Sequence, residues 1–160
     1  EFLWDMNDLL LGEASTLSAE DQALVAAAKT EIMTALADLS AGKQLQPLHA
    51  DLHLHNAMWH EGELSVFDFD DSAMGLPVQD IATSLYYLDT EEQDEAFLNG
   101  YRSVLALPEF TERQMKLLRL QRRLILLNYL FETSNPEHRA MAPEYAAGSM
   151  RRIREVLEIG

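Results

Sequence analysis

The stretch His49-Ala50-Asp51-Leu52-His53-Leu54-His55-Asn56, with Asp68-Phe69-Asp70-Asp71 beginning twelve residues after Asn56, carries most of the chain's polar chemistry. Four of the five histidines lie between His49 and His60, a density of polar groups that packing does not call for. Between the two stretches, Asn56 to Trp59 and Leu64 to Phe69 are short β-type runs separated by His60-Glu61-Gly62-Glu63. That pattern predicts a hairpin with glycine in its turn. A hairpin brings its open ends together, so Asp51 and Asn56 would face Asp68. An oxygen-rich pocket of this kind suits a hard cation such as Mg2+.

Outward from this segment the pattern is helical. Upstream, Val25, Ala28, Ile32, Leu36 and Leu39 recur at spacings of three and four behind Ser18, with Glu20 and Asp21 in the first turn. This predicts an amphipathic helix from Ser18 to about Leu39, capped by the Ser18 hydroxyl. Ala41-Gly42-Lys43 would end it, and Leu45 to Leu48 around Pro47 reads as extended. Downstream, Val78 to Leu88 supplies a short helix, and Thr90 with Gln93 forms a capping box for another running to about Leu105. Thr111 with Gln114 repeats that device ahead of a helix apolar on most sides, placed by its composition at the centre of the core. A last helix is expected from about Pro143 to Leu157, with the proline in its first turn. Trp59 and Phe67 are expected in the hairpin core, His55 and His60 in exposed turns, and Asp71 with Ser72 as a turn cap. The fold class is mainly α with a small embedded β-hairpin.

The chain has 160 residues, 48% of them hydrophobic, and no cysteine, which is the profile of one soluble domain with neither disulfides nor thiolate metal sites. It has no apolar run long enough to span a bilayer and no signal-peptide pattern, so the cytoplasm is the expected compartment. A net charge of −15 disfavours a nucleic-acid partner. The charge is uneven: residues 1–101 hold 20 acids and only Lys29 and Lys43 as bases, while residues 102–160 hold 7 acids and 10 bases. An acidic zone of that size either attracts a metal ion or an amine-bearing substrate or is a solvated surface. Arg151, Arg152 and Arg154 fit a solvated helix face close to a C-terminus.

The spacing His-x-Asp-x-x-x-x-Asn, here His49, Asp51 and Asn56, is the catalytic-loop pattern of protein kinases. In that pattern a second, metal-binding aspartate ends the next strand, as Val66-Phe67-Asp68-Phe69-Asp70 would supply. The sequence resembles the aminoglycoside phosphotransferase and choline kinase-like family, whose loop reads His-Gly-Asp-Leu-His-x-x-Asn before an apolar-Asp-Phe-Asp strand end. Ala50 stands where that loop has glycine. Met74-Gly75-Leu76-Pro77-Val78-Gln79-Asp80-Ile81 is similar to the family's Gly-x-Pro-x-x-Asp-Leu segment, and the resemblance covers about 40 residues, His49 to Leu88. The Val78-Gln79-Asp80 variant also resembles bacterial stress-response kinases of this superfamily.

The resemblance implies the C-terminal lobe of a protein-kinase-like fold and an ATP-dependent transfer of phosphate to a hydroxyl of a small molecule. By the same implication Asp51 is the catalytic base, Asn56 and Asp68 hold Mg2+ or Mn2+, and His49 buttresses the loop. His53 would lie near the transferred phosphate, Asp70 would assist the metal or the acceptor, and Asp80 would fix the loop backbone. The sequence has no Gly-rich phosphate loop and no strand lysine to pair with nucleotide phosphates. One domain spanning residues 1–160 is therefore expected, with the catalytic loop at 49–56 and the metal-binding strand end at 68–71, the N-terminal nucleotide lobe that shares the ATP lying elsewhere. The opening Glu1 to Gly12, with Phe2, Leu3 and Trp4, reads as the middle of a longer protein and as apolar surface exposed by separation from that lobe. Such a piece is expected to be inactive alone.

Two other classes remain open on the sequence. His53 and His55 form a His-x-His pair that, on a strand, would put both imidazoles on one face for Zn2+ in a hydrolase. Against that, a (β/α)8 barrel needs about 250 residues and repeated strand–helix units. A non-catalytic kinase-like binding module is the other alternative, and it has no need to keep Asp51, Asn56 and Asp68 together.

Overall fold

The computed structural model describes residues 16–159, so the apolar opening expected to be exposed at residues 1–12 lies outside the described part. The elements are α1 (Ala19–Ser40), β1 (Gln46–Leu48), β2 (Ala57–His60), β3 (Glu63–Val66), β4 (Ala73–Gly75), α2 (Pro77–Tyr86), α3 (Glu91–Arg102), α4 (Glu112–Glu132) and α5 (Pro136–Leu157). The chain is mainly helical with two small antiparallel sheets. It divides into two compact units, one of residues 39–111 and one of residues 16–38 with 112–159. No described helix is long and apolar enough to cross a membrane.

In the second unit, Ser18 caps α1 as its side chain predicts, with the Asp21 N–H donating to Ser18 Oγ at 3.1 Å. Val25, Ala28, Ile32 and Leu36 are all buried, so the three-and-four spacing does mark the inward face of α1. Helix α4 buries Leu118, Leu120, Leu124 and Leu127 around much of its circumference, each leucine contributing roughly 1.5–3 kcal/mol through removal from water. Helix α5 packs along it, and the Arg123 guanidinium of α4 donates to Ser149 Oγ at 3.0 Å while lying 4.5 Å over the Tyr145 ring. This last helix starts seven residues earlier than Pro143 would place it. Asn135 is the cap, its Oδ1 accepting from the N–H groups of Glu137 and His138 at 2.9 and 3.4 Å, and Pro136 takes the first helical position. Pro143 lies inside the helix, where its ring is accommodated at the cost of one backbone hydrogen bond.

In the first unit, β2 and β3 form the expected hairpin, in the register Ala57↔Val66 to His60↔Glu63. Its turn is Glu61-Gly62, both residues at positive φ (50° and 85°), the combination a tight two-residue turn demands. The second strand stops at Val66 rather than Phe69, because Asp68 takes a φ of 64° that breaks the extended run. The expectation that Trp59 and Phe67 belong to a hairpin core fails: they are 68% and 44% exposed. Strands β2 and β3 pair with each other alone among the described strands, and a two-stranded ribbon lacks the area to bury both faces. Helix α3 has the Thr90 and Gln93 capping box and ends at Arg102, three residues short of Leu105.

The β1–β4 pair is the element that three-residue strands leave unannounced in the sequence. Its antiparallel register, Gln46↔Gly75 through Leu48↔Ala73, puts the start of α2 at the Gln46 end of β1, and α2 then runs back so that Asp80 meets the residues that follow Leu48. Polar residues His49 to Asn56 are thereby laid against a helix. Removing the α5 cap with Asn135→Ala is expected to cost about 1 kcal/mol of stability in urea unfolding, with fraying confined to residues 136–139.

Candidate active site

Helix α2 holds the loop by a row of side chains along one face. One turn into the helix, the Asp80 carboxylate accepts two backbone hydrogen bonds, from the His49 N–H to Oδ2 at 3.0 Å and from the Ala50 N–H to Oδ1 at 2.8 Å. One turn further, Ser84 Oγ donates to the Leu52 carbonyl at 2.9 Å. At the C-cap that follows Tyr86, the Tyr87 ring lies 4.4 Å from the His53 ring. Positions 80 and 84 share a helix face, so the helix and its cap meet the loop at three successive points. Below them Gln79, fully buried, accepts from the Leu76 N–H at 2.9 Å and seals the start of the helix. Burial pushes the Asp80 carboxyl above the ordinary carboxylate range, opposed by the two backbone N–H groups.

The fork on Asp80 requires two adjacent N–H groups to point the same way, and the backbone achieves it by taking Ala50 into the left-handed region, φ 69°. That is the physical reason for glycine at this position of the related motif: a Cβ there costs roughly 1–2 kcal/mol. Ala50 carries that cost while fully buried.

His49 ties the loop to the hairpin exit. Its Nδ1 accepts from the Asp51 N–H at 3.3 Å, and its Nε2 lies 3.0 Å from the Phe67 carbonyl oxygen. A backbone N–H only donates and a carbonyl only accepts, so these partners assign the neutral imidazole with its proton on Nε2. The Phe67 N–H in turn donates to the Asn56 carbonyl at 3.1 Å. Both backbone groups of Phe67 are thus engaged by the loop, and Asp68 follows directly, turned by its positive φ.

Within the loop, the Asn56 Nδ2 donates to the Asp51 carbonyl at 2.9 Å and to Asp51 Oδ2 at 3.1 Å. Two oxygen partners fix the amide's orientation and direct its Oδ1 away from Asp51. His53 caps the short 3-10 turn Leu54–Asn56 by accepting the His55 N–H on Nδ1 at 3.1 Å, which leaves the proton on Nε2, 3.4 Å from Asp51 Oδ2. Asp51 Oδ2 therefore accepts from the Asn56 amide and has the His53 imidazole beside it.

Of the residues singled out in the sequence, His49, Asp51, His53, Asn56 and Asp80 form one connected network, and Asp68 joins it through the backbone of Phe67. Asp70 lies exposed in the turn closed by the Ser72 N–H on the Phe69 carbonyl at 3.0 Å. Ser84 and Tyr87 were not anticipated, although their spacing from Asp80 on a short helix was available as a signal. The hydrolase alternative loses its geometry. His53 and His55 sit on a cap and a 3-10 turn instead of a strand, their rings meet edge to face 5.6 Å apart, and His53 Nδ1 is taken by the His55 N–H. Among the described residues no three His, Cys, Asp or Glu side chains converge for a metal.

Comparison with known proteins bears on the family and the fold. Residues 2–118 match the model of the phosphotransferase enzyme family. The structure of a microcompartment-associated aminopropanol kinase is 26% identical, with a TM-score of 0.79 over 99% of this chain and 54% of that one. An amicoumacin kinase in complex with AMP-PNP, Ca2+ and Ami has the same fold, with 24% identity and a TM-score of 0.62 over 93% of this chain and 50% of that one. The chain thus spans about half the length of these structures. No curated protein sequence matches it.

Asp80→Asn presents an NH2 to one of two N–H donors and should cost about 1–3 kcal/mol in chemical denaturation. The pH dependence gives a second check. A carboxyl whose value is raised by folding keeps its proton in the native state after the unfolded chain has lost it, so Asp80's contribution is full at acid pH and declines as pH rises through the raised value. The difference in stability between wild type and Asp80→Asn should therefore change with pH in that window and level off above it. Ala50→Gly should raise stability by about 1 kcal/mol, read as an increase in Tm.

Proposed function

The chain belongs to the phosphotransferase enzyme family, and on that basis we propose that it is the helical, C-terminal lobe of an ATP-dependent kinase that phosphorylates a hydroxyl of a small molecule. The observation that carries the reading is the Asp51 carboxylate, held by Asn56 and His53 in a loop whose backbone is clamped by Asp80. A carboxylate fixed in this manner is suited to orient an acceptor hydroxyl and take its proton.

In the proposed reaction the acceptor oxygen forms a bond to the γ-phosphorus of ATP, and the bond from that phosphorus to the bridging oxygen breaks. ADP leaves with the electron pair, and the hydroxyl proton passes to Asp51. Asn56 Oδ1 and the Asp68 carboxylate are hard oxygen donors that fit Mg2+ or Mn2+. A divalent ion held there would neutralise phosphate charge. The neutral His53, with Nε2 toward Asp51, would keep the carboxylate oriented close to the transferred group, and Asp70 in the adjoining turn would face the metal or the acceptor. The acidic surroundings favour an amine-bearing acceptor.

Two facts support the assignment of ATP binding to a second lobe. The sequence lacks a Gly-rich phosphate loop and a strand lysine, and the chain spans about half of the aminopropanol kinase. Product formation from ATP and a panel of small alcohols, followed by 31P NMR, should stay at background for the 160-residue chain alone. In a protein joining it to a nucleotide-binding lobe, transfer should require a divalent metal and fall by about 10²–10⁴-fold in Asp51→Asn. Transfer at background in the joined protein with metal present would instead favour a binding module, and unchanged transfer in Asp51→Asn would remove Asp51 as the base.

A further inference from the structure

Behind the catalytic loop, between the hairpin and α2–α3, lies a cavity of about 220 Å³ to which the family assignment gives no role. Its wall is built from Leu52 and Leu54 of the loop, from Ala57, Leu64 and Val66 of the hairpin, and from Phe97 of α3. The hairpin residues share one face because Ala57 pairs with Val66 and Leu64 lies two positions along. Three polar residues also line it, and two have their polar atoms committed elsewhere: Ser84 Oγ donates to Leu52, and His53 is engaged through Nδ1 by His55 and through Nε2 by Asp51. The third, Tyr87, presents its ring to His53.

We infer that this cavity binds the uncharged hydrocarbon part of a small alcohol, with the hydroxyl end toward His53 and Asp51. Three observations converge on that occupant. No Asp, Glu, Lys or Arg lines the cavity, so its apolar wall offers a charged group neither counter-charge nor replacement for the water it displaces. An apolar cavity of about 150 Å³ suffices for benzene, so this one has room for a ring of about six carbons carrying a hydroxymethyl group. His53 is common to the cavity wall and to the grip on Asp51, 3.4 Å from its Oδ2, which puts the end of such a ligand near the carboxylate. The amine expected of the acceptor would then sit outside the cavity, in the acidic surroundings. Naming the occupant an acceptor rests on the phosphotransferase reading; the binding itself does not.

Benzyl alcohol titrated into the 160-residue chain, followed by methyl NMR, tests the inference directly. Saturable shifts should appear at Leu52, Leu54, Leu64, Val66 and Leu88 and leave α4 and α5 unmoved. Benzylamine, of the same shape but protonated at neutral pH, should bind at least about tenfold more weakly. Ala57→Leu, which fills the cavity, should weaken benzyl alcohol by a similar factor, and the benzylamine comparison needs no variant to fold. Absent or non-saturating shifts, shifts spread over other surfaces, or equal binding of the amine would overturn the inference. Failure of the kinase reading would show as no transfer in the protein joined to a nucleotide-binding lobe with the methyl shifts intact, and failure of the cavity as Asp51-dependent transfer with no saturable shifts.

Discussion

Two backbone N–H groups donated to one buried-side carboxylate, His49 and Ala50 to Asp80, are the constraint on which the site depends. Everything chemically useful in residues 49–56 belongs to a loop, and a loop alone has no reason to hold a carboxylate in one place. The fork supplies that reason. It needs Ala50 in a left-handed conformation, needs β1 paired with β4 so that α2 begins alongside, and needs the first turn of α2 to carry an acid. Its own desolvation works against it, which is why the carboxyl is pushed up while two hydrogen bonds pull it down.

From that anchor the order spreads by short links. His49 passes it to Phe67 and hence to Asp68, Asn56 passes it to Asp51, and Ser84 and Tyr87 repeat the grip of α2 further along the loop. The Asp51 carboxylate is thereby oriented by neutral partners and main-chain dipoles, a preorganised arrangement of the kind that electrostatic catalysis draws on. Left-handed backbone at Ala50 and Asp68 stores strain at the two places where the loop and the hairpin exit must turn toward each other.

Much of this was legible in the sequence because the relevant signals are local. The α1 periodicity, the Ser18 and Thr90 caps, the Gly62 turn and the His-x-Asp-x-x-x-x-Asn spacing each involve residues a few positions apart. What escaped was set at longer range. The β1–β4 pair joins segments nearly thirty residues apart, with three residues on each side and no alternation to reveal them. Trp59 looked like core because an alternating strand has an apolar face, yet a two-stranded ribbon leaves that face 68% exposed at Trp59. The last helix began at Asn135-Pro136 and ran through Pro143, since two prolines offered two starts and only the first followed a side chain able to cap. His-x-His suggested a strand, and the cap at His53 decided otherwise.

Amide hydrogen exchange of the wild-type chain tests the anchoring of the loop most directly. The N–H groups of His49 and Ala50 should be among the most slowly exchanging of residues 49–56, with protection far above that of the exposed hairpin turn at Glu61 and Gly62. Exchange at those two amides as fast as in the turn would contradict the account, because a loop that is not held by Asp80 has no fixed place for Asp51.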